Sequence, residues 1–423
     1  MSREIRLSQQ GCGFIRRSLR CFLLLLIVLL GLASLMSAQV LPCITGALPT
    51  GDATYPQQLV QICIPPVGWN GQLVVYAHGF VQPQLPLALP AAELNLIGGN
   101  ATLAVLLSNG FAFATTSFSK NGYAVEQAAR DIDDLVTYFK TLVAPGSLRK
   151  TLLVGGSEGG LIATMLLELY PGSYDGALVL CAPIGGAHYQ TKYLGDFRVV
   201  FDYFFPSVFR DDFKAFEVPE TAFLNWGDLN SGYVQKILSS IALNPDKASQ
   251  LFKVTRVALD PGNLATSAAE ASVNLLGYSI FGTPDLIATA SGIPFDNRWT
   301  LYLGSNNDFA LNRGVERVAS DPEARAYLRH FYQPTGRLSR PLVSMHTTLD
   351  PLVPFNHEVI YYGLATLAGR RNFLTVLPVP SYGHCNFQAA QVLGAFGLLV
   401  QQVNETASPE LGRFVSSVPA PMN

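Results

Sequence analysis

Between Thr151 and Tyr170 the chain reads TLLVGGSEGGLIATMLLELY. An apolar run of strand length ends in glycines around one serine, and a helix-like run begins at once. Glycine loses the most backbone freedom on ordering, so Gly155, Gly156, Gly159 and Gly160 are a poor helix start. At a strand-to-helix junction they point instead to a tight bend that presents Ser157. This junction restricts the fold more than composition does. A strand that passes directly into a helix belongs to a sheet covered by helices.

The same alternation recurs along the chain. Gln58 to Pro65, Gln72 to His78 and Phe111 to Ser117 read as strands, with a turn at Gly68-Trp69-Asn70-Gly71. From Ala124 to Leu142, Ile132, Leu135, Val136 and Phe139 recur at helical spacing. Strand Thr151 to Val154, helix Leu161 to Tyr170 and strand Gly176 to Pro183 follow. The alternation stops from about Ile184 to Arg340. That stretch holds the aromatic run VVFDYFFPSVF and helix-like segments such as Val315 to Phe331. It reads as an inserted, largely helical cap over residues 184–340. Strand Pro341 to His346, helix His357 to Leu367, strand Phe373 to Val379 and helix Phe387 to Val403 resume the pattern. The expected fold is α/β, with a mostly parallel central sheet flanked by helices. Residues 39–183 and 341–410 form its two parts, and 411–423 is a frayed tail.

Residues 1–38 read as a leader. Arg3, Arg6, Arg16, Arg17 and Arg20 precede the apolar run Phe22 to Leu35, and small residues follow. This is the pattern of a secretory signal, with cleavage expected after Ala38. The run is short for a span of about 20 residues, and an uncleaved N-terminal membrane anchor is the alternative. After export four cysteines remain. Cys43 and Cys63 are the natural local disulfide pair, while Cys181 and Cys385 form a second bridge or stay buried and free. No Cys/His spacing suggests a metal. A net charge of −2 excludes a basic nucleic-acid surface. Asn100-Ala101-Thr102 and Asn404-Glu405-Thr406 are glycosylation sequons, meaningful only in a eukaryotic secretory host.

The chemistry rests on Gly155-Gly156-Ser157-Glu158-Gly159, a G-x-S-x-G nucleophile elbow in its strand–turn–helix setting. A nucleophilic serine needs a base, and the base needs an orienting acid. In this arrangement they follow in the order serine, acid, histidine, each at a strand's C-terminal end. Asp350, in HTTLDPLVPF, and His384, in SYGHCNF, occupy those places. Of the other histidines, His357 suits a surface or capping role, His346 burial beside the sheet, and His188 and His330 fall in the insertion. Two backbone N–H groups must hold the developing oxyanion. Glu158 supplies one, and Phe80 in YAHGF the other, with Gly79 allowing close approach and His78 bracing the loop. The Glu158 side chain favours the positive end of its helix. Asn121 and Tyr123 lie at the same sheet edge, where Asn121-Gly122 also reads as a turn. Phe204 and Phe205 either line an apolar substrate pocket or pack the cap.

Together His78-Gly79-Phe80, the serine elbow, Asp350-Pro351-Leu352-Val353-Pro354 and Gly383-His384 make the chain resemble the α/β-hydrolase superfamily. The resemblance covers Leu59 to Pro183 and Pro341 to Val403. It implies a secreted serine esterase or lipase-like enzyme whose insertion caps the site. The expected activity is hydrolysis of a small-molecule or polymeric ester, uncharged and apolar, without a cofactor. An exported serine peptidase with the same triad is the first alternative. A non-catalytic binding protein on this scaffold is the second.

Overall fold

A computed structural model describes residues 41–228 and 232–405. The expected leader with its cleavage point, and the expected tail, lie outside the described residues. Among these residues one sheet runs in the order β1-β2-β4-β3-β5-β6-β7-β8. The strands are β1 (Cys43–Pro49), β2 (Gln57–Cys63), β3 (Gln72–Ala77), β4 (Ala112–Thr116), β5 (Lys150–Gly156), β6 (Gly176–Leu180), β7 (Leu342–Leu349) and β8 (Leu374–Tyr382). β2 pairs antiparallel with β1 and β4, and every other pairing is parallel.

Parallel neighbours need crossovers, and helices supply them. α1 (Ala91–Leu96) and α2 (Gly99–Ser108) join β3 to β4, and α3 (Val125–Tyr138) joins β4 to β5. α4 (Glu158–Leu169) joins β5 to β6. Between β6 and β7 lie α5 (Ala187–Phe204), α6 (Thr221–Leu224), α7 (Tyr233–Leu243), α8 (Pro245–Thr255), α9 (Leu264–Ala290), α10 (Asp308–Gly314) and α11 (Pro322–Phe331). α12 (Asn356–Leu367) joins β7 to β8, and α13 (Ala389–Asn404) follows β8.

Helices cover both faces, so the inner strands are buried throughout: no residue of β4 or β6 is exposed. α3 turns Ile132, Leu135 and Val136 inward and leaves Arg130 and Asp133 in water, the stripe its spacing predicts. Those side chains share a core with Leu73, Val75 and Leu153 of the sheet and Ile162 and Leu166 of α4. Burying each contributes about 1.5–3 kcal/mol. The segment between β6 and β7 has its own core, built on Phe197, Phe201, Phe209, Leu251, Leu275 and Ile280. Within it Arg198 and Asp202 form a fully buried ion pair, with the guanidinium 4.4 Å from the Phe209 ring.

Three features depart from the sequence reading. β1 is a strand that periodicity did not suggest, because as an edge strand it is largely exposed on both faces. Its register against β2 sets Cys43 opposite Cys63, and a disulfide joins them. α1 and α2 were also unassigned; Gly98, at φ 99°, breaks what would otherwise read as one helix. The expected helix from Val315 begins only at Pro322. Proline disfavours helical backbone at the residue before it, and Asp321 is extended, with ψ 133°.

Candidate active site

Ser157 sits between β5 and α4 with φ 51° and ψ −123°, a conformation that L-residues rarely adopt. Two positions to either side of it, only glycine fits. A side chain at Gly155 would overlap the carbonyl of Gly159, and one at Gly159 the carbonyls of Ala77 and His78. The elbow is pinned by the Ser157 N–H, which donates to the Leu180 carbonyl at 2.9 Å.

Because β5, β7 and β8 are parallel, their C-terminal ends share one edge of the sheet. Asp350 directly follows β7, and His384 follows β8 by one residue. His384 Nε2 lies 3.0 Å from Ser157 Oγ, and His384 Nδ1 lies 2.7 Å from Asp350 Oδ2. The other carboxylate oxygen, Oδ1, accepts the N–H groups of Leu352 and Val353 at 2.8 and 2.9 Å. Asp350 therefore forms the Asp-Pro turn and also faces the imidazole. Burial works against its charge, but His384 and His346 outweigh it and bring the carboxyl down to about 2. A second disulfide, Cys181–Cys385, joins the end of β6 to the residue after His384. Cys181, His384 and Cys385 cluster together, but the bridged sulfurs offer a metal no thiolate.

The YAHGF loop lies against the elbow, and a side chain at Gly79 would come within 3.1 Å of the Ser157 Cβ. His78 stacks on Phe118 at 3.9 Å between centroids, and its Nδ1–H donates to the Gly79 carbonyl at 2.7 Å. Glu93, a residue the sequence reading missed, braces the same loop. Its carboxylate accepts the Gly79 N–H at 2.8 and 3.1 Å and the Tyr76 hydroxyl at 2.6 Å. No spacing signals it, because α1 itself went unassigned.

A cavity of about 50 Å³ opens beside Ser157, lined by Phe80, Tyr123, Leu161, Leu194, Tyr278 and Leu352 among others. Glu158 also lines it; burial pushes its carboxyl up to about 8, against the pull of Lys120. Lys120 pairs with Asp285 of α9 at 2.8 Å, and Asp285 also accepts the Tyr123 N–H. This ties the Tyr123 loop to the inserted segment.

Other expected positions differ. Asn121 is not part of the cavity wall: its amide donates to the Leu85 carbonyl at 2.7 Å, which joins its loop to the one after β3. Phe204 and Phe205 are buried in the aromatic core of the insertion, away from that wall. Tyr278 and Leu194 take their place, because α9 and α5 turn those faces downward. His357 is neither on the surface nor a simple cap. It is fully buried, its Nδ1 accepts the Gly185 N–H at 3.1 Å, and its Nε2–H donates to Gln190. His346 is buried in β7, where its position suggested.

The sheet order, the serine elbow and the Ser–Asp–His sequence at parallel strand ends give this chain the α/β-hydrolase fold. No protein-family model and no curated protein matches the sequence. Among solved structures, the chain is similar to lipase A of Candida antarctica in its closed state, with 13% identity over 90% of this chain and 81% of that one, and a TM-score of 0.47. It is similar to feruloyl esterase B of Aspergillus oryzae, with 14% identity over 81% and 73% and a TM-score of 0.42. Similarity to the acylaminoacyl peptidase of Pyrococcus horikoshii, at 10% identity, covers 91% of this chain and 44% of that one, with a TM-score of 0.43. The chain thus spans less than half of the peptidase.

Proposed function

We propose that the protein is an exported serine hydrolase that cleaves carboxylic esters through an acyl-enzyme. The observation that carries this reading is the relay from Ser157 Oγ to His384 Nε2 at 3.0 Å and from His384 Nδ1 to Asp350 Oδ2 at 2.7 Å. Ser157 Oγ attacks the acyl carbon while His384 Nε2 takes its proton. The N–H groups of Phe80 and Glu158 hold the oxyanion. His384 then returns the proton to the leaving alkoxide. Water, deprotonated by His384, attacks the acyl-enzyme and releases the acid. Asp350 holds the Nδ1–H tautomer and stabilises the imidazolium.

The apolar wall of Phe80, Leu161, Leu194 and Leu352 suits an uncharged, apolar ester. The peptidase alternative needs a carboxylate to anchor an amine. Glu158 is the carboxyl beside the nucleophile, and burial keeps it protonated up to about pH 8, which favours the ester. The two disulfides fit an oxidising compartment.

The test is a fluorophosphonate label on wild type and Ser157→Ala, followed by a panel of esters from short to long acyl chains, aromatic and polymeric esters, and aminoacyl amides. Labelling confined to wild type and ester turnover above amide turnover are expected. Folded wild type that takes no label would refute the catalytic reading.

A further inference from the structure

Behind Asp350 lie two titratable side chains that the relay does not use. His346 on β7 and Glu358 in the first turn of α12 are both fully buried. His346 Nδ1 is 2.9 Å from Glu358 Oε1, and its Nε2 is 2.8 Å from the Val353 carbonyl. A neutral imidazole offers one N–H and one bare nitrogen. Here each ring nitrogen faces an acceptor. The carbonyl can only accept. Glu358 Oε1 already accepts the Ser344 hydroxyl at 2.7 Å, so it too presents a lone pair. Asp350 Oδ2 adds a second negative group 3.6 Å from Nε2.

We propose that His346 is a buried imidazolium, a positioning residue whose charge and two hydrogen bonds hold Asp350 ionised and in place for His384. The inference deepens the serine-hydrolase reading and rests on it. The positioning follows from the backbone. Val353 gives its N–H to Asp350 Oδ1 and its carbonyl to His346, so one peptide segment is held from both sides. Burial opposes charge on His346, but the nearby carboxylates of Asp350 and Glu358 outweigh this and raise it to about 10.

The groups facing His346 are few. Glu358 and His357 come from α12, and Asp350 from the turn after β7. His384, from the loop after β8, lies beyond Asp350, and the edge of Phe355 closes the remaining side. His357 is held neutral by burial and by the charge of His346. The electrostatic consequence has a definite sign. A cation beside Asp350 offsets part of its negative charge at His384, which makes His384 harder to protonate. The base therefore stays free at lower pH. Without the cation, Asp350 acts on His384 alone, and protonation sets in at higher pH.

The experiment compares kcat/KM against pH for an ester in wild type, His346→Gln and the double variant His346→Gln/Glu358→Gln. The double variant replaces the ion pair with a neutral amide pair and strands no charge. Both should move the acid limb upward by about one pH unit, a tenfold shift in the protonation constant of His384. Nitrogen-15 spectra of wild type at pH 8 should show one histidine, missing from His346→Gln, with both ring nitrogens protonated. A neutral tautomer for that histidine, or an unmoved acid limb in folded double variant, overturns the proposal. Absence of wild-type ester turnover would sink the ester reading instead, and the nitrogen spectrum would still decide the charge on His346.

Discussion

Glu93 offers a sharp test of how the oxyanion loop is held. Its carboxylate takes the Gly79 N–H and the Tyr76 hydroxyl, and a side chain at Gly156 would come within 2.8 Å of it. Glu93→Ala leaves Gly79 N–H and the Tyr76 hydroxyl without this acceptor. Each stranded polar group costs about 1–3 kcal/mol, so unfolding stability should fall by about 2–6 kcal/mol. Gly79 immediately precedes Phe80, whose N–H is assigned to the oxyanion. Losing one oxyanion donor costs about 100-fold or more in kcat, and a loosened loop should approach that lower figure. Substrate binding draws on the apolar wall, so KM should change little. Glu93→Gln keeps one oxygen acceptor and should recover most of the rate. Steady-state kinetics on a short-chain ester, with urea denaturation of each variant, measure both effects. A folded Glu93→Ala enzyme with kcat within twofold of wild type would refute the bracing role.

Asp350→Asn should lower kcat by about 10⁴-fold, because the wrong histidine tautomer is then held. The depressed carboxyl of Asp350 contributes stability that is complete above its ordinary value of 3.8 and is lost as pH falls through about 2. The stability gap between wild type and Asp350→Asn should therefore close across that window in acid titrations. Removing the Cys181–Cys385 bridge by Cys181→Ser/Cys385→Ser opens a closure spanning 204 positions, for which chain entropy gives about 5 kcal/mol. Urea unfolding checks the loss, and a drop in kcat is expected because His384 adjoins the bridge. Gly159→Ala should yield no folded enzyme by circular dichroism, since its methyl would meet the Ala77 carbonyl.

The relay was legible because it rests on local signals: glycines around Ser157, a turn motif at Asp350, and strand ends that parallel topology brings together. Order along the chain was enough to place them. The supports were not legible. Glu93, His346 and Glu358 act through contacts between elements far apart in sequence, and no spacing records those. The cavity wall failed for a related reason. The run around Phe204 announces apolar burial, but whether an aromatic faces a core or a cavity depends on how its helix is rotated. Tyr278 lies in a long apolar helix with no such run, yet it reaches the site. β1 was missed because an edge strand in water carries no alternation, and its place is held by backbone pairing and a disulfide instead.

The serine arises before the long helical insertion, and its acid and base arise after it. The Cys181–Cys385 bond crosses that gap at the level of the sheet, from the last strand before the insertion to the histidine loop beyond it. The histidine loop is thus fastened to the sheet by a covalent bond that does not pass through the helices of the insertion. Ala187, Leu194 and Tyr278, which line the cavity beside Ser157, come from those helices. Under the proposed function, reactivity and selectivity are therefore written in different stretches of this chain. The two stretches are nevertheless keyed together, since Tyr193 and Gln190 of the insertion donate to the carbonyls of Pro351 and Leu352 beside Asp350.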